Sequence, residues 1–139
     1  MPATFESFGI KFLYPDNWKI AERAEDESDA GTTLDLPSGG FLSIEMEDEG
    51  LSDDEIIQQV ADAIRAEYNE VEIDDIELPG AKEGERAVDM RFYYLDLMVV
   101  SRVVLLDSEQ GKLVMQAQAE SRDFDKNEAV FAAILQQIR

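Results

Sequence analysis

The stretch RAVDMRFYYLDLMVVSRVVLLDSEQGKLVMQAQAE, residues Arg86–Glu120, decides the fold of this chain. Apolar side chains alternate with polar ones along Arg86–Tyr94 and again along Lys112–Ala119, and the intervening Leu97–Leu106 is rich in valine. A period of two residues is typical of β-strands. The stretch therefore predicts three consecutive antiparallel strands joined by short turns.

The predicted pairing of the first two strands decides which side chains share a face. A tight turn near Asp96 would place Arg91 opposite Arg102, with Asp89 on the same face to offset the two positive charges. Both faces of the second strand carry apolar residues, so each needs a cover, which a helix, a loop or a partner could supply. A homodimer through the Val100–Val104 face is one such cover.

Two further stretches have the period of amphipathic helices. Ser52–Glu55 has the spacing of a capping box, with the serine as N-cap and the glutamate at N3, and it begins a helix predicted over Asp53–Asn69. A second Asx-x-x-Glu sequence, Asp125–Glu128, begins a C-terminal helix whose apolar stripe extends from Val130 to Ile138. Each helix presents one apolar face that a sheet would bury.

The remaining alternation predicts additional strands. Ile10–Tyr14 is a strand that the next residue, a proline, ends, because proline cannot donate to a β-ladder. Thr32–Leu36 and Phe41–Met46 flank a Pro-Ser-Gly-Gly turn and predict a hairpin. The apolar phase changes at Asp74-Asp75, which predicts a bulge or two short strands. The predicted fold class is α+β, with an antiparallel sheet of about six to seven strands flanked by two main helices in a single domain.

Composition excludes several kinds of chemistry. The chain has a net charge of −20 and contains no cysteine and no histidine, which excludes disulfides, thiol nucleophiles, Cys/His zinc sites and histidine relays. Nucleic acid and anionic membranes need a basic surface, so neither is an expected partner. No signal-peptide pattern and no apolar run of about 20 residues is present. We therefore expect a cytoplasmic protein. We also expect no cofactor, and we expect the acidic segment Ala21–Gly31 to be a mobile loop.

The order of elements, from an N-terminal strand through a capped helix and antiparallel strands to a terminal helix, resembles that of the PsbP-like superfamily. The motifs that carry the resemblance are F-x-Y-P-x-x-W at residues 12–18, the glycines Gly80 and Gly84 before the aromatic strand, and F-x-x-I at residues 131–134. The resemblance implies an α/β/α sandwich. The superfamily includes extrinsic subunits of photosystem II, a Ran-binding nuclear import factor, and bacterial adaptor or chaperone-like proteins, so it also implies a non-catalytic binding module. No binding motif of any branch is matched, and no functional residue is carried over.

The acidic residues form clusters without the spacing of a known ion site. No cluster has the D-x-[DN]-x-[DN]-G spacing of a calcium loop, so solvated loops and helix caps are predicted, not a metal site. Two paired carboxylates in a cleft could in principle hydrolyse a glycoside, and this stays the third-ranked hypothesis. No catalytic residue is predicted. The clusters are Glu45, Glu47, Asp48 and Glu49; Asp53, Asp54 and Glu55; and Glu72, Asp74 and Asp75.

Four residues are predicted to form a binding surface: Trp18, Arg91, Tyr93 and Arg102. Tyr, Trp and Arg are the residue types that anchor protein interfaces. Tyr93 shares a phase with the two arginines, whereas the phase of its neighbour Tyr94, which alternates with aliphatic residues, predicts core packing. The alternative for the arginines is an internal salt bridge to Asp89 or to a helix acid.

The leading hypothesis is a protein-interaction or adaptor module without enzymatic activity, acting as a monomer or weak homodimer on a protein partner. The second hypothesis is a chaperone-like or small-ligand groove for an apolar peptide or lipid, suggested by the apolar residues on both faces of Leu97–Leu106.

Overall fold

The computed structural model describes residues 2–22, 31–47, 50–108 and 111–139. The predicted loop Ala21–Gly31 and the turns at residues 47–50 and 107–111 therefore fall partly outside the described residues. The elements, in chain order, are β1 (Pro2–Ser7), β2 (Ile10–Pro15), β3 (Lys19–Ile20), β4 (Gly31–Asp35), β5 (Phe41–Glu47), α1 (Asp53–Tyr68), β6 (Glu72–Ile76), β7 (Arg86–Tyr94), β8 (Leu97–Ser108), β9 (Gly111–Glu120) and α2 (Ser121–Ile138).

Seven strands form one antiparallel sheet in the order β3-β4-β5-β9-β8-β7-β6. The consecutive strands β7, β8 and β9 occupy adjacent positions, as the alternation in Arg86–Glu120 predicts. The hairpin β4–β5 joins this group through β9, with Ile44 opposite Met115. The predicted sheet size is confirmed.

The register of β7 and β8 differs from the predicted one by two residues. Leu95 and Asp96 form the turn themselves, so Tyr94 pairs with Leu97 and Asp89, not Arg91, lies opposite Arg102. An even shift leaves every side chain on its predicted face, because the side-chain period of a strand is two. The predicted partition of the two faces is therefore correct although the pairs are wrong.

The two helices cover opposite faces of the sheet, which confirms the α/β/α arrangement. Buried residues of α1 pack with one set of sheet residues and buried residues of α2 with another. On the α1 side the cluster is Ile56, Ile57, Ala61, Ile64, Val88, Met90, Phe92, Val103, Leu105 and Val114. On the α2 side it includes Leu42, Ile44, Val100, Val104, Met115, Ala117, Phe124, Phe131, Ile134 and Leu135.

The predicted capping box begins α1. The backbone N–H of Glu55 donates to Ser52 Oγ at 3.2 Å, and the N–H of Ser52 donates to Glu55 Oε1 at 3.3 Å. The helix ends at Tyr68, one residue earlier than predicted. Asn69 has a φ of 66° and donates its N–H to the carbonyl of Arg65, so it ends the helix.

Two predictions about secondary structure and one about an exposed sheet face are corrected. Helix α2 begins at Ser121, four residues before Asp125, because the Glu120 carboxylate accepts hydrogen bonds from the backbone N–H groups of Arg122 and Asp123. Strand β6 pairs with β7 without a bulge; it is a largely exposed edge strand, so no single apolar phase is imposed on it. The Val100–Val104 face lies under α2, so it is not available for a homodimer.

Strand β1 was not predicted. It pairs with β2 in a separate two-stranded sheet, and Phe5 stacks on Phe12 with ring centroids 5.0 Å apart. This sheet packs against α2, where the N–H of Leu13 donates to Gln137 Oε1 at 2.8 Å. In the described part of the chain, neither helix combines the length and the apolarity that crossing a bilayer requires.

Candidate binding surfaces

Trp18 lies in the core. Its side chain is 4% exposed, and its ring lies 5.7 Å from that of Phe131 on α2. The backbone N–H of Trp18 donates to the carbonyl of Pro15, which closes the turn that directs the indole inward. The predicted role of Trp18 as a surface anchor is therefore corrected: the aromatic-Pro-x-x-Trp turn fixes β2 against α2.

Arg102 forms an internal salt bridge, which was the alternative prediction for this residue. Its guanidinium donates to both oxygens of Asp89, at 2.8 and 3.1 Å, and to Glu128 on α2 at 2.9 Å. It also lies 4.9 Å from the ring centroid of Phe124. Burial acts to lower the pKa of Arg102, but the two carboxylates raise it overall, so the group stays charged and ties β7, β8 and α2 together.

Arg91 is also engaged within the protein. It bonds to Asp74 and lies 3.8 Å from Glu72, both on the neighbouring edge strand β6. Its side chain is partly buried by these contacts. The predicted Arg91–Tyr93–Arg102 surface therefore does not exist as one patch, because both guanidinium groups are paired with acids of the same chain.

Tyr93 is exposed at the end of the β7–β8 hairpin, residues Tyr93–Leu97, where exposed apolar side chains are concentrated and which we term the hairpin tip. Tyr93, Tyr94, Leu95 and Leu97 are 67%, 53%, 77% and 42% exposed. In the part of the chain that the structure describes, these are four of the seven exposed large hydrophobic residues. The strand phase in the sequence predicts an exposed side chain for Tyr93, but it does not predict the exposure of Tyr94, Leu95 or Leu97.

The turn at the hairpin tip has an unusual backbone for its residues. Leu95 has a φ of 49° and Asp96 a φ of 70°. Two-residue hairpin loops of type I′ require positive φ at both central positions, and Asn-Gly or Asp-Gly is the usual choice. A leucine there is strained, because its Cβ approaches a carbonyl oxygen. An apolar side chain is thus held outward at a position where glycine or asparagine would fit better.

A shallow cleft of about 310 Å³ lies beside the hairpin tip. The β4–β5 turn at residues 38–40 forms one wall, and Tyr94, Leu97, Val99 and Ala119 contribute apolar surface. Gly40 allows this wall to approach, since a Cβ at that position would lie 2.4 Å from the carbonyl oxygen of Gln118. The cleft extends the exposed apolar surface of the tip across the end of the sheet.

A second, larger cleft of about 480 Å³ lies beneath α2. Its floor is the α2 face of the sheet, and Leu78 and Pro79 of the β6–β7 connection form part of its wall. We term it the α2 cleft. No sequence pattern indicated it, because its walls come from the sheet, α2 and the β6–β7 connection, which only the tertiary fold brings together.

The acidic clusters contribute to internal ion pairs. Asp54 bonds to Arg86, and Asp53 lies 3.0 Å from Lys112. Among residues 2–22, 31–47, 50–108 and 111–139, no group of three or more carboxylates is arranged to hold a metal ion. Asp48 and Glu49 lie outside the described residues.

The geometry defines an α/β/α sandwich in which an antiparallel sheet is covered by one helix on each face. The chain has a PsbP-like fold. Its structure is similar to that of cyanobacterial PsbP from Synechocystis sp. PCC 6803, with a TM-score of 0.71 and 10% identity over 99% of this chain and 91% of that one. It is also similar to a Pseudomonas aeruginosa protein of unknown function described as a candidate regulator, with a TM-score of 0.53 and 14% identity over 99% and 96% of the two chains. No family model and no curated protein matches the sequence.

Proposed function

We propose that the protein is a non-catalytic interaction module that binds a protein partner through the hairpin tip. The observation that carries the proposal is the concentration of four exposed apolar side chains on five consecutive residues. Single exposed apolar residues are ordinary, whereas contiguous patches mark interaction sites. Tyrosine in particular anchors interfaces, because it buries a large rigid area at a small entropic cost.

The tip is supported by regular strand pairing and by a ring contact with α1, which favours binding. Strands β7 and β8 pair continuously from Arg86 to the turn, and the ring of Tyr94 contacts Tyr68 of α1 edge to face at 5.8 Å. A partner would therefore meet a preformed surface and would not have to order a loop, a cost that reduces affinity. Leu95 at the apex costs stability through its strained backbone, and this strain is consistent with a role in contacting a partner.

Charge indicates the kind of partner. The chain carries −20 overall, Asp96 stands at the apex of the tip, and Glu120 lies along the adjacent cleft. A like-charged partner would be repelled, and a basic partner would be attracted before contact. The proposed partner is thus a protein surface that combines apolar pockets with lysine or arginine at their rim.

The non-catalytic part of the proposal rests on the structural contacts that the acidic side chains make. Members of the predicted clusters cap α1 or pair with arginine and lysine, so they are occupied by structural contacts. The carboxylate-hydrolase hypothesis gains no support from this arrangement. The two similar structures, of which one is described as a candidate regulator, also fit a binding role.

The test is site-specific photo-crosslinking in the native host. A photoreactive phenylalanine analogue at Tyr93 should crosslink to one protein, and the same analogue at Ile20, an exposed apolar residue on edge strand β3, should not. The double variant Tyr93→Ser, Leu95→Ser should abolish capture of that protein, while Leu13→Ser, a matched loss of exposed apolar surface elsewhere, should retain it. Equal capture by the tip variant and the unmodified chain would refute the tip as the contact surface.

A second candidate function, small-ligand binding, is favoured by the α2 cleft. Its volume of about 480 Å³ lies in the range of small-molecule sites. The α2 cleft therefore supports the second hypothesis, a groove for an apolar ligand, on the α2 side of the sheet.

A further inference from the structure

We propose that the α2 cleft binds a small amphiphilic amine, with an aliphatic chain in the cleft and an ammonium group at its rim beside Glu128. This ligand site is independent of the hairpin tip, which lies on the far end of the β7–β8 hairpin. The proposal rests on three features of the cleft: its lining, the balance of charge around it, and the exposure of one carboxylate.

The lining suits an aliphatic chain. The sheet contributes Val104, Met115 and Ala117, α2 contributes Phe131 and Leu135, and the β6–β7 connection contributes Leu78. These side chains come from three elements that face one another, so a chain inserted among them is removed from water on several sides. Burial of aliphatic groups in such a site is favourable in proportion to the area removed from water.

The charged side chains that line the cleft and their ion-pair partners together carry one net negative charge. Arg102 is already paired with Asp89 and Glu128. Arg139 is already paired with Glu85, at 3.1 Å, with both side chains 3% exposed. Three carboxylates therefore accompany two guanidinium groups. A carboxylate ligand would add a fourth negative charge to a chain of −20, whereas an ammonium would bring the local sum to zero.

Glu128 is the group that can meet the ammonium. Its side chain is 50% exposed, and its contact with Arg102 uses Oε2. Asp89 and Glu85 are nearly buried and face their arginines, so neither is open to a ligand. Nη2 of Arg139 has no hydrogen-bond partner in the described part of the chain, but it is buried and presents no surface to a molecule in the cleft.

The first experiment compares octylamine, octanol and octanoate, which share one chain length and differ in head-group charge at neutral pH. Binding is followed by amide chemical shifts of the ¹⁵N-labelled protein, which also locate the site. We expect octylamine to bind at least about threefold more tightly than octanol, since a partly exposed ion pair contributes modestly, and octanoate to bind most weakly. Ethylamine, which lacks the chain, should leave the cleft residues unshifted.

Two matched pairs of variants test the location and the charge. Ala132 and Ala133 are adjacent exposed residues of α2, of which only Ala132 lines the cleft. Ala132→Leu should reduce octylamine binding, and Ala133→Leu should not. Glu128→Gln should remove the preference for octylamine over octanol, and Asp125→Asn, with the same change in net charge on an exposed position of α2, should preserve it.

Several results would overturn the proposal. Equal affinities for octylamine and octanol would contradict the role of charge. An equal effect of the two carboxylate variants would show that the amine responds only to the overall charge of the chain. An absence of chemical-shift changes at the cleft residues with octylamine would show that the cleft is not the site. An equal reduction of octylamine binding by Ala132→Leu and Ala133→Leu would show the same.

Discussion

Replacement of Leu95-Asp96 by Asn-Gly should make this protein more stable. The two residues have φ values of 49° and 70°, which is the left-handed region that L-residues with a full Cβ adopt at a cost of about 1–2 kcal/mol each. Asparagine tolerates this region and glycine adopts it without strain. Leu95 is 77% exposed, so its removal sacrifices little buried surface.

The expected gain is about 1 kcal/mol after glycine's larger unfolded-state entropy is subtracted, at about 0.5–1 kcal/mol. With a urea m-value of about 2 kcal/mol/M for a chain of this size, the midpoint of unfolding should rise by about 0.5 M with the slope unchanged. Equilibrium urea denaturation followed by tryptophan fluorescence is suitable, because Trp18 is buried in the folded protein.

A control variant in the same turn should change the free energy of unfolding in the opposite direction. Asp96→Ala keeps a Cβ but removes the polar side chain that tolerates positive φ, so it should destabilise the protein by about 0.5–1 kcal/mol. A lower midpoint for the Asn-Gly variant, or a higher one for Asp96→Ala, would refute the reasoning about backbone strain. The Asn-Gly variant should also lose the crosslinked partner, since it removes the apical leucine, so stability and binding should change in opposite directions.

Three further predictions concern the ion pairs and helix caps. Asp89→Asn should cost about 2–3 kcal/mol, because Arg102 would stay largely buried with a single acid, whereas Glu128→Gln at the half-exposed end of the same network should cost less than about 1 kcal/mol; urea denaturation gives both. Ser52→Ala should cost about 1 kcal/mol through loss of the α1 cap, measured in the same way, and an unchanged midpoint would contradict the capping role. Partial burial acts to raise the pKa of Glu120, but hydrogen bonds from the first residues of α2 lower it overall. A lowered folded-state pKa gives stability at neutral pH that is lost as the pH falls through it, so the stability difference between the protein and Glu120→Gln should shrink on acidification, and a constant difference would exclude this linkage.

Much of the fold is predictable from the sequence because periodicity reports burial directly. The alternation in Arg86–Glu120 predicts three adjacent antiparallel strands, which the structure contains, although the β7–β8 register is shifted by two residues. The fourfold spacing after Ser52 predicts α1 to within one residue. Both signals arise from single elements that bury one face, so they do not depend on knowing the neighbours.

The errors occur where tertiary contacts decide the outcome. Nothing local distinguishes a turn at Leu95-Asp96 from one shifted along the chain, since neither residue is typical of a primed turn. The start of α2 depends on Glu120, which caps the helix although glutamate is not a favoured N-cap residue. Strand β1 forms because β2 and α2 offer it an apolar surface at Phe12.

The candidate surfaces were predictable only in part, because residue type does not reveal whether a side chain has an internal partner. Trp18, Arg91 and Arg102 are interface-type residues that the fold uses internally, against Phe131 and against acids of β6, β7 and α2. Tyr93 alone among the four stays exposed. Its position beyond the end of the helical layers could not be read from strand phase, which gives the face of a residue but not its height along the sheet.

The internal use of cations has a consequence for both candidate surfaces. The chain has 12 lysines and arginines against 32 acids, and Arg86, Arg91, Arg102, Lys112 and Arg139 are all engaged in ion pairs within the fold. The surface that a ligand meets is therefore dominated by unneutralised carboxylates, and its field extends about 8 Å at physiological ionic strength. The basic protein proposed for the hairpin tip and the aliphatic amine proposed for the α2 cleft would both be favoured by this excess of negative charge, while apolar contact would decide where each of them binds.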